Sequence, residues 1–194
     1  KKLRVLLAAP TGRAAMRMSE VTGRQAKTIH RLLETEWSDG DRQIFTRNIE
    51  NPLEADAVIV DELSMVDTHL FAALLNALPL GCRLVMVGDS DQLPPVGAGN
   101  VLQDIIASEL LPTVCLTQVF RQAMESLIVT NAHKIVGGEY PVLDVTDKDF
   151  FFLSRNDVSS TADTVTELYA QRLPKAYGYD PLTDIQIICP SRKG

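Results

Sequence analysis

Three short apolar runs in the first half of the chain each stop on a polar cluster, and that rhythm limits the folds open to it. Leu3–Ala9 stops at Pro10-Thr11-Gly12, Ala57–Val60 at Asp61-Glu62, and Leu84–Val87 at Gly88-Asp89. Runs this short and this apolar read as strands buried on both faces, the mark of a parallel sheet. Between them, Leu70, Phe71, Leu74, Leu75 and Leu78 recur at helical spacing and predict a one-faced amphipathic helix. A second helical pattern runs from Ala14 to about Val21, with Gly23 as its stop. Strands alternating with helices specify an α/β class, a mainly parallel sheet flanked by helices. Open sheets of that class bind ligands beyond the C-terminal ends of their strands, and the polar clusters fall there.

The remaining pattern is less regular. Thr28–Leu33 predicts a short helix. Glu34–Trp37, Ser38-Asp39-Gly40-Asp41 and Arg42–Arg47 predict strand, turn and strand, because Asp-Gly between such runs is a strong hairpin signal. Leu102, Ile105 and Ile106 mark a helix and Thr113–Leu116 a fourth strand. Leu127, Ile128, Ala132 and Ile135 stripe a helix ending at Gly137-Gly138. Phe150–Leu153 then reads as a strand, Val158–Leu173 as a helix and Ile185–Cys189 as a strand. A boundary near 117–125 divides a first domain, 1–118 with a hairpin insertion at about 34–50, from a second over 119–194.

A net charge of −6 looks unsuited to a polyanion until it is divided. Residues 1–31 hold eight basic side chains and one acidic one, a balance of +7 that leaves −13 on the remainder. That asymmetry fits one polyanion-facing edge, and fits a solvated basic helix face equally well. Three dispersed cysteines without a C-x-x-C pattern read as free, buried thiols of a reducing cytoplasm. No apolar run approaches the roughly 20 residues of a membrane helix, and no export signal is evident. The chain opens on Lys1 rather than methionine, as expected of a fragment, a processed chain or a trimmed one.

Two segments carry chemistry. Ala57-Val58-Ile59-Val60-Asp61-Glu62 has the form of a Walker B strand. There one carboxylate serves the Mg²⁺ of a nucleoside triphosphate and the next orients or deprotonates water. Many structural strands also end in acidic residues. The loop from Gly88 to Gly99 combines three glycines and two adjacent prolines with Asp89, Asp91 and Gln92. A proline-framed turn at a strand end can fix Gln92 toward a phosphate, although a plain surface loop could share this composition.

In order along the chain, LAAPTGRAA, TIHRLL, VIVDELSMVD, GDSDQLPPVGAGN, LTQVFRQ and CPSRKG resemble conserved segments of superfamily-1 helicases of the RecD-like group (exodeoxyribonuclease V alpha subunit and relatives). The resemblance runs nearly end to end. It implies a RecA-like P-loop NTPase motor domain, the start of a second RecA-like domain, and a small β-hairpin insertion that works as a strand-separating pin. It implies ATP and Mg²⁺, with Asp61 holding the metal through water, Glu62 as catalytic carboxylate, Gln92 as γ-phosphate sensor and Arg121 as an arginine finger. Pro10, Thr11, Gly12 and Arg13 would meet the single-stranded DNA backbone, where helix-terminal amides suit phosphates; Thr28 and His30 would add further contacts. Trp37 and Phe45 could stack on a base or pin the hairpin to the domain. No G-x-x-x-x-G-K-[ST] occurs in the chain, and the resemblance places that loop upstream of Leu3. The implied activity is ATP-dependent 5′→3′ unwinding in recombination and double-strand-break processing in a bacterial cytoplasm. Its substrates would be single-stranded DNA and duplex junctions, with nuclease-helicase partner subunits left open and no membrane. An RNA helicase and a non-catalytic interaction domain remain alternatives at this level.

Overall fold

The computed structural model describes residues 2–38, 42–116 and 125–189, and the chain divides into two compact units, Lys1–Thr117 and Gln118–Gly194. In the first unit β1 (Val5–Ala9) leads to α1 (Gly12–Thr22), β2 (Ala26–Thr28) and the short α2 (Ile29–Leu32). A hairpin of β3 (Thr35–Ser38) and β4 (Arg42–Phe45) follows, then β5 (Ala57–Val60), α3 (Thr68–Ala77), β6 (Arg83–Met86) and α4 (Val101–Ser108). The main sheet has the order β2-β1-β5-β6 with every pair parallel. Leu7 lies opposite both Ala26 and Ile59, and Ile59 lies opposite Val85. The expected parallel sheet flanked by helices is the fold of this unit.

Side-chain alternation along each strand divides the sheet's residues between two faces. Ala8, Val58 and Val60 point to one face and, with Leu63, Leu70, Leu74 and Ile29, form the buried core. Full burial of a Val or Leu side chain stabilises the fold by about 1.5–3 kcal/mol, so this face dominates stability. On the other face α1 seats Ala15 over the β1 end, where Leu7 and Ala9 are buried. Toward β6 that face opens: Val85 and Val87 are about half exposed. A cavity of about 250 Å³ lies there, lined by Arg17, Met18, Val21, Thr22, Asp61 and Val87.

The ends of α1 follow from its sequence. The Thr11 hydroxyl accepts the Ala14 amide at 3.2 Å, and Gly23 closes the helix with φ 64°. That left-handed conformation carries little cost for glycine. The short helix expected over Thr28–Leu33 is present as α2 between its caps Thr28 and Leu33; Thr28 also ends β2, and its hydroxyl accepts the Arg31 amide at 3.2 Å.

The second unit has helices α5 (Leu127–Val136), α6 (Val158–Glu167) and α7 (Leu173–Tyr177), the last two joined by a π turn over Leu168–Arg172. Asp149 caps α5 from afar, accepting the Leu127 amide at 2.7 Å. Buried Asn131 clamps Val142, donating to its carbonyl at 2.9 Å and accepting its amide at 2.7 Å. The strands expected at Thr113–Leu116, Phe150–Leu153 and Ile185–Cys189 do not form ladders among the described residues. A strand exists only through its partners, and these apolar runs find none; Val114, Leu116 and Ile188 stay largely exposed. Nor are the cysteines buried as expected: Cys115 and Cys189 are exposed, and Cys82 is half-buried, its thiol pushed up by that burial. Among the described residues no helix is long and apolar enough to cross a membrane.

Candidate functional site

Because the four main strands are parallel, their C-terminal ends share one edge. In spatial order that edge carries Thr28 and His30 after β2, Pro10–Arg13 after β1, Asp61 and Glu62 after β5, and the loop bearing Gln92 after β6. At roughly 4.8 Å per strand the row spans about 14 Å. Ten candidate residues were read from the sequence, and the nine that are described converge here; Arg121 lies outside the described residues.

At the β5 end, the Asp61 amide donates to the Ala8 carbonyl at 3.0 Å, and Asp61 Oδ1 accepts the Glu62 amide at 2.9 Å. That leaves Oδ2 without a bond to the described residues. Asp61 also borders the open cavity on the α1 face. Glu62 has φ 56° and ψ 42°. Only Glu34 and Glu109 share a positive φ among the described non-glycine residues, and both lie at helix ends. Glu62 instead follows a strand directly, and such backbone costs on the order of 1–3 kcal/mol where surrounding structure imposes it. The imposing contact is visible: the Leu63 amide donates to the Val87 carbonyl at 2.9 Å. Ser64, just beyond, is buried with its hydroxyl unpartnered among the described residues.

The loop after β6 is fitted to its neighbours by glycine. A Cβ on Gly88 would lie 2.9 Å from Leu102 Cδ2 and 3.1 Å from the Leu63 amide nitrogen. One on Gly97 would overlap the Asp67 carboxylate, and one on Gly99, at φ +93°, would overlap the Thr68 hydroxyl. Asp67 is itself committed, capping α3 by accepting the Leu70 amide at 2.8 Å, while the Thr68 amide donates to the Ala98 carbonyl at 3.0 Å. The loop and the first turn of α3 therefore hold each other. Sequence reading did not connect these glycines with Asp67 and Thr68; a capping aspartate ahead of an apolar helix was the available signal. Gln92 is exposed, and its backbone N–H donates to the Asp89 carbonyl at 3.3 Å.

The β1–β2 end is basic and open. Among the described residues no acceptor meets the amides of Gly12 and Arg13, the first two of α1, which leaves two donors of the helix N-terminus facing outward. Between α1 and β2 lies a cleft of about 510 Å³, lined by Gly12, Met16, Gln25, Lys27, Thr28 and Arg31 among others. The His30 ring packs on Phe45 at 6.2 Å between centroids, and Phe45 packs on His69 at 5.8 Å. Phe45 thus joins the hairpin base to the core; the Trp37 side chain lies outside the described residues. Arg47 braces the same base by an ion pair with Glu34 at 2.8 Å, which holds the Glu34 carboxyl below its ordinary value.

One carboxylate at a strand end, with an oxygen to spare, suits Mg²⁺, which takes one or two protein carboxylates and keeps its remaining positions for water and phosphate. Asp61 is the residue that would hold it.

Comparison with known proteins gives these donors a context. Residues 1–98 match the family model described as an AAA domain. The ATP-dependent RecD2 DNA helicase of Deinococcus radiodurans is 48% identical over 139 residues, covering 72% of this chain and 18% of that protein. The RecBCD enzyme subunit RecD of Mycolicibacterium smegmatis is 41% identical over 119 residues, covering 53% of this chain and 21% of that one. The chain thus spans about a fifth of the length of these curated relatives. Among solved structures, the Bacteroides Pif1 helicase in complex with ADP-AlF3 and ssDNA aligns over 91% of this chain and 42% of its own, with a TM-score of 0.50 at 23% identity. At that identity the likeness concerns the fold.

Proposed function

Since the chain belongs to the AAA-domain family and is RecD-like within the superfamily-1 helicases, we propose that it carries the hydrolysis carboxylates and part of the single-stranded DNA track of an ATP-driven 5′→3′ DNA helicase. The polarity comes from the family resemblance. ATP is the substrate. Glu62 orients the attacking water and accepts its proton, a role worth about 10²–10⁴-fold in rate. Asp61 would hold Mg²⁺ through water, and the ion would supply charge neutralisation at the phosphates. Gln92, on a loop pinned by packing, senses the γ-phosphate, and Arg121 supplies charge stabilisation as an arginine finger. Pro10, Thr11, Gly12, Arg13, Thr28 and His30 hold the DNA backbone, the first four through the open N-terminus of α1. Duplex junctions, nuclease-helicase partner subunits and a bacterial cytoplasmic setting belong to the same reading.

The observation that carries the proposal is the left-handed backbone of Glu62 beside Asp61, held by the Leu63–Val87 hydrogen bond. Backbone strain imposed by neighbouring structure clusters at active sites, and a carboxylate fixed in this way suits a preorganised role. The test is DNA-stimulated ATP turnover and strand separation in the full-length protein. Glu62→Gln is expected to lower turnover about 10²–10⁴-fold with single-stranded DNA affinity retained. Turnover close to that of the unaltered protein would overturn the assignment.

A further inference from the structure

Among the described residues two polar side chains are buried, Asn131 and Ser64. Asn131 is satisfied twice over, donating to the Val142 carbonyl and accepting the Val142 amide. Ser64 is not: it is 4% exposed, and its hydroxyl has no hydrogen-bond partner among the described residues. Arg47 Nε is also buried without a partner, but that guanidinium still reaches Glu34, Asn51 and Pro52 through its other nitrogens. A buried hydroxyl without a partner works against stability, and an alanine would fill the same place without that cost. Packing therefore gives no reason for a serine at 64; a partner met at another stage does.

The surroundings of Ser64 narrow that partner. The residue lies two positions past Glu62, in the turn Leu63–Met65. The turn packs so closely on the end of β6 that a Cβ on Gly88 would stand 3.2 Å from the Ser64 amide nitrogen. Asp89 comes next. Its Oδ1 accepts the Asp91 amide at 3.0 Å, which holds the carboxylate at the base of the loop, and its other oxygen has no bond to the described residues. Asp61 opens onto the α1 face and, with Glu62, already has a task in the proposed function. Asp91 stands farther along the exposed loop.

We propose that Ser64 is a positioning residue, whose hydroxyl donates to the Asp89 carboxylate when the loop after β6 settles for hydrolysis. The inference rests on the reading of Glu62 as the carboxylate that orients water. The bond ties the left-handed turn bearing Glu62 to the loop bearing Gln92, so that both groups take up their places together. A hydroxyl donating to a carboxylate makes one of the stronger hydrogen bonds. Formed only in the reactive arrangement, it raises kcat and leaves ATP affinity alone.

DNA-stimulated ATP turnover and thermal unfolding of the full-length protein, measured together, test it. Ser64→Ala should lower kcat by roughly 10–100-fold, with the ATP KM retained and the unfolding midpoint unchanged or raised. Asp89→Ala should lower kcat at least as much, and the double variant should be no slower than Asp89→Ala alone. Unaltered kcat in Ser64→Ala, a midpoint that falls with it, or losses that multiply in the double variant would overturn the Ser64–Asp89 bond and leave Glu62 in its role. Full turnover by Glu62→Gln in the same assay would overturn that role and this inference with it.

Discussion

At the β1 end of the sheet edge a glycine sits where a side chain has room; at the β6 end three glycines sit where a side chain has none. Gly12 faces open space, while Gly88, Gly97 and Gly99 press against Leu63, Asp67 and Thr68. The acidic half is thus shaped by packing before any ligand arrives, down to the strained backbone of Glu62. The basic half is shaped by local caps, Thr11 and Thr28, and leaves amides and cations for a ligand to complete. On the proposed function, a motor that hydrolyses ATP and releases its track each cycle would gain from both: a preorganised reaction site and a grip that reforms with each step.

The glycines give the largest expected contrast. Gly99→Ala combines a positive φ with overlap on Thr68, and should destabilise the chain by about 1–3 kcal/mol in urea unfolding. Gly12→Ala, at the first helical position, should be neutral or stabilise by up to about 1 kcal/mol. Equal effects at the two sites would break the comparison.

A smaller effect is expected at Arg13. Arg13→Ala should weaken single-stranded DNA binding about equally for all sequences and lower the salt slope by about one. A change of sequence preference would move Arg13 from a backbone contact to a base contact and redraw the basic half.

What the sequence made legible was whatever depends on neighbours along the chain. The strand ends at Pro10, Asp61 and Gly88, the stop at Gly23 and the β3–β4 pairing were all written in local pattern. So was the separation of charge between the two halves. Contacts made only by folding were not. β2 is three residues long, too short for a period, and its presence depends on pairing with β1. Thr113–Leu116 has strand composition yet no partner to pair with among the described residues. Gln25, Lys27 and Arg31 are unremarkable in sequence and acquire meaning only when α1 folds over β2. The role of Gly97 became visible only once Asp67 was found against it.

The smallest expected effect sharpens the contrast at the hairpin base. Arg47 donates to the Glu34 carboxylate and lowers its pKa below the ordinary glutamate value. A depressed folded-state pKa means the latch contributes fully above the unfolded-state pKa and is lost as pH falls through the lower folded-state value. Carboxyl NMR should show Glu34 titrating below a free glutamate, with hairpin amide protection declining over that acidic range. The Arg47→Gln variant should return the titration to the ordinary range. An unshifted Glu34 in the unaltered chain would remove the latch from the account.

The claim that one sheet edge is divided into a nucleic-acid half and a nucleotide half is tested most directly by hydrogen exchange of the chain with and without oligo-dT. Slowed exchange is expected at the amides of Gly12 and Arg13 and across residues 25–31, with residues 61–64 and 88–92 unchanged. Protection centred on the Asp61–Ser64 and Gly88–Gln92 segments, with none at Gly12 and Arg13, would contradict the division.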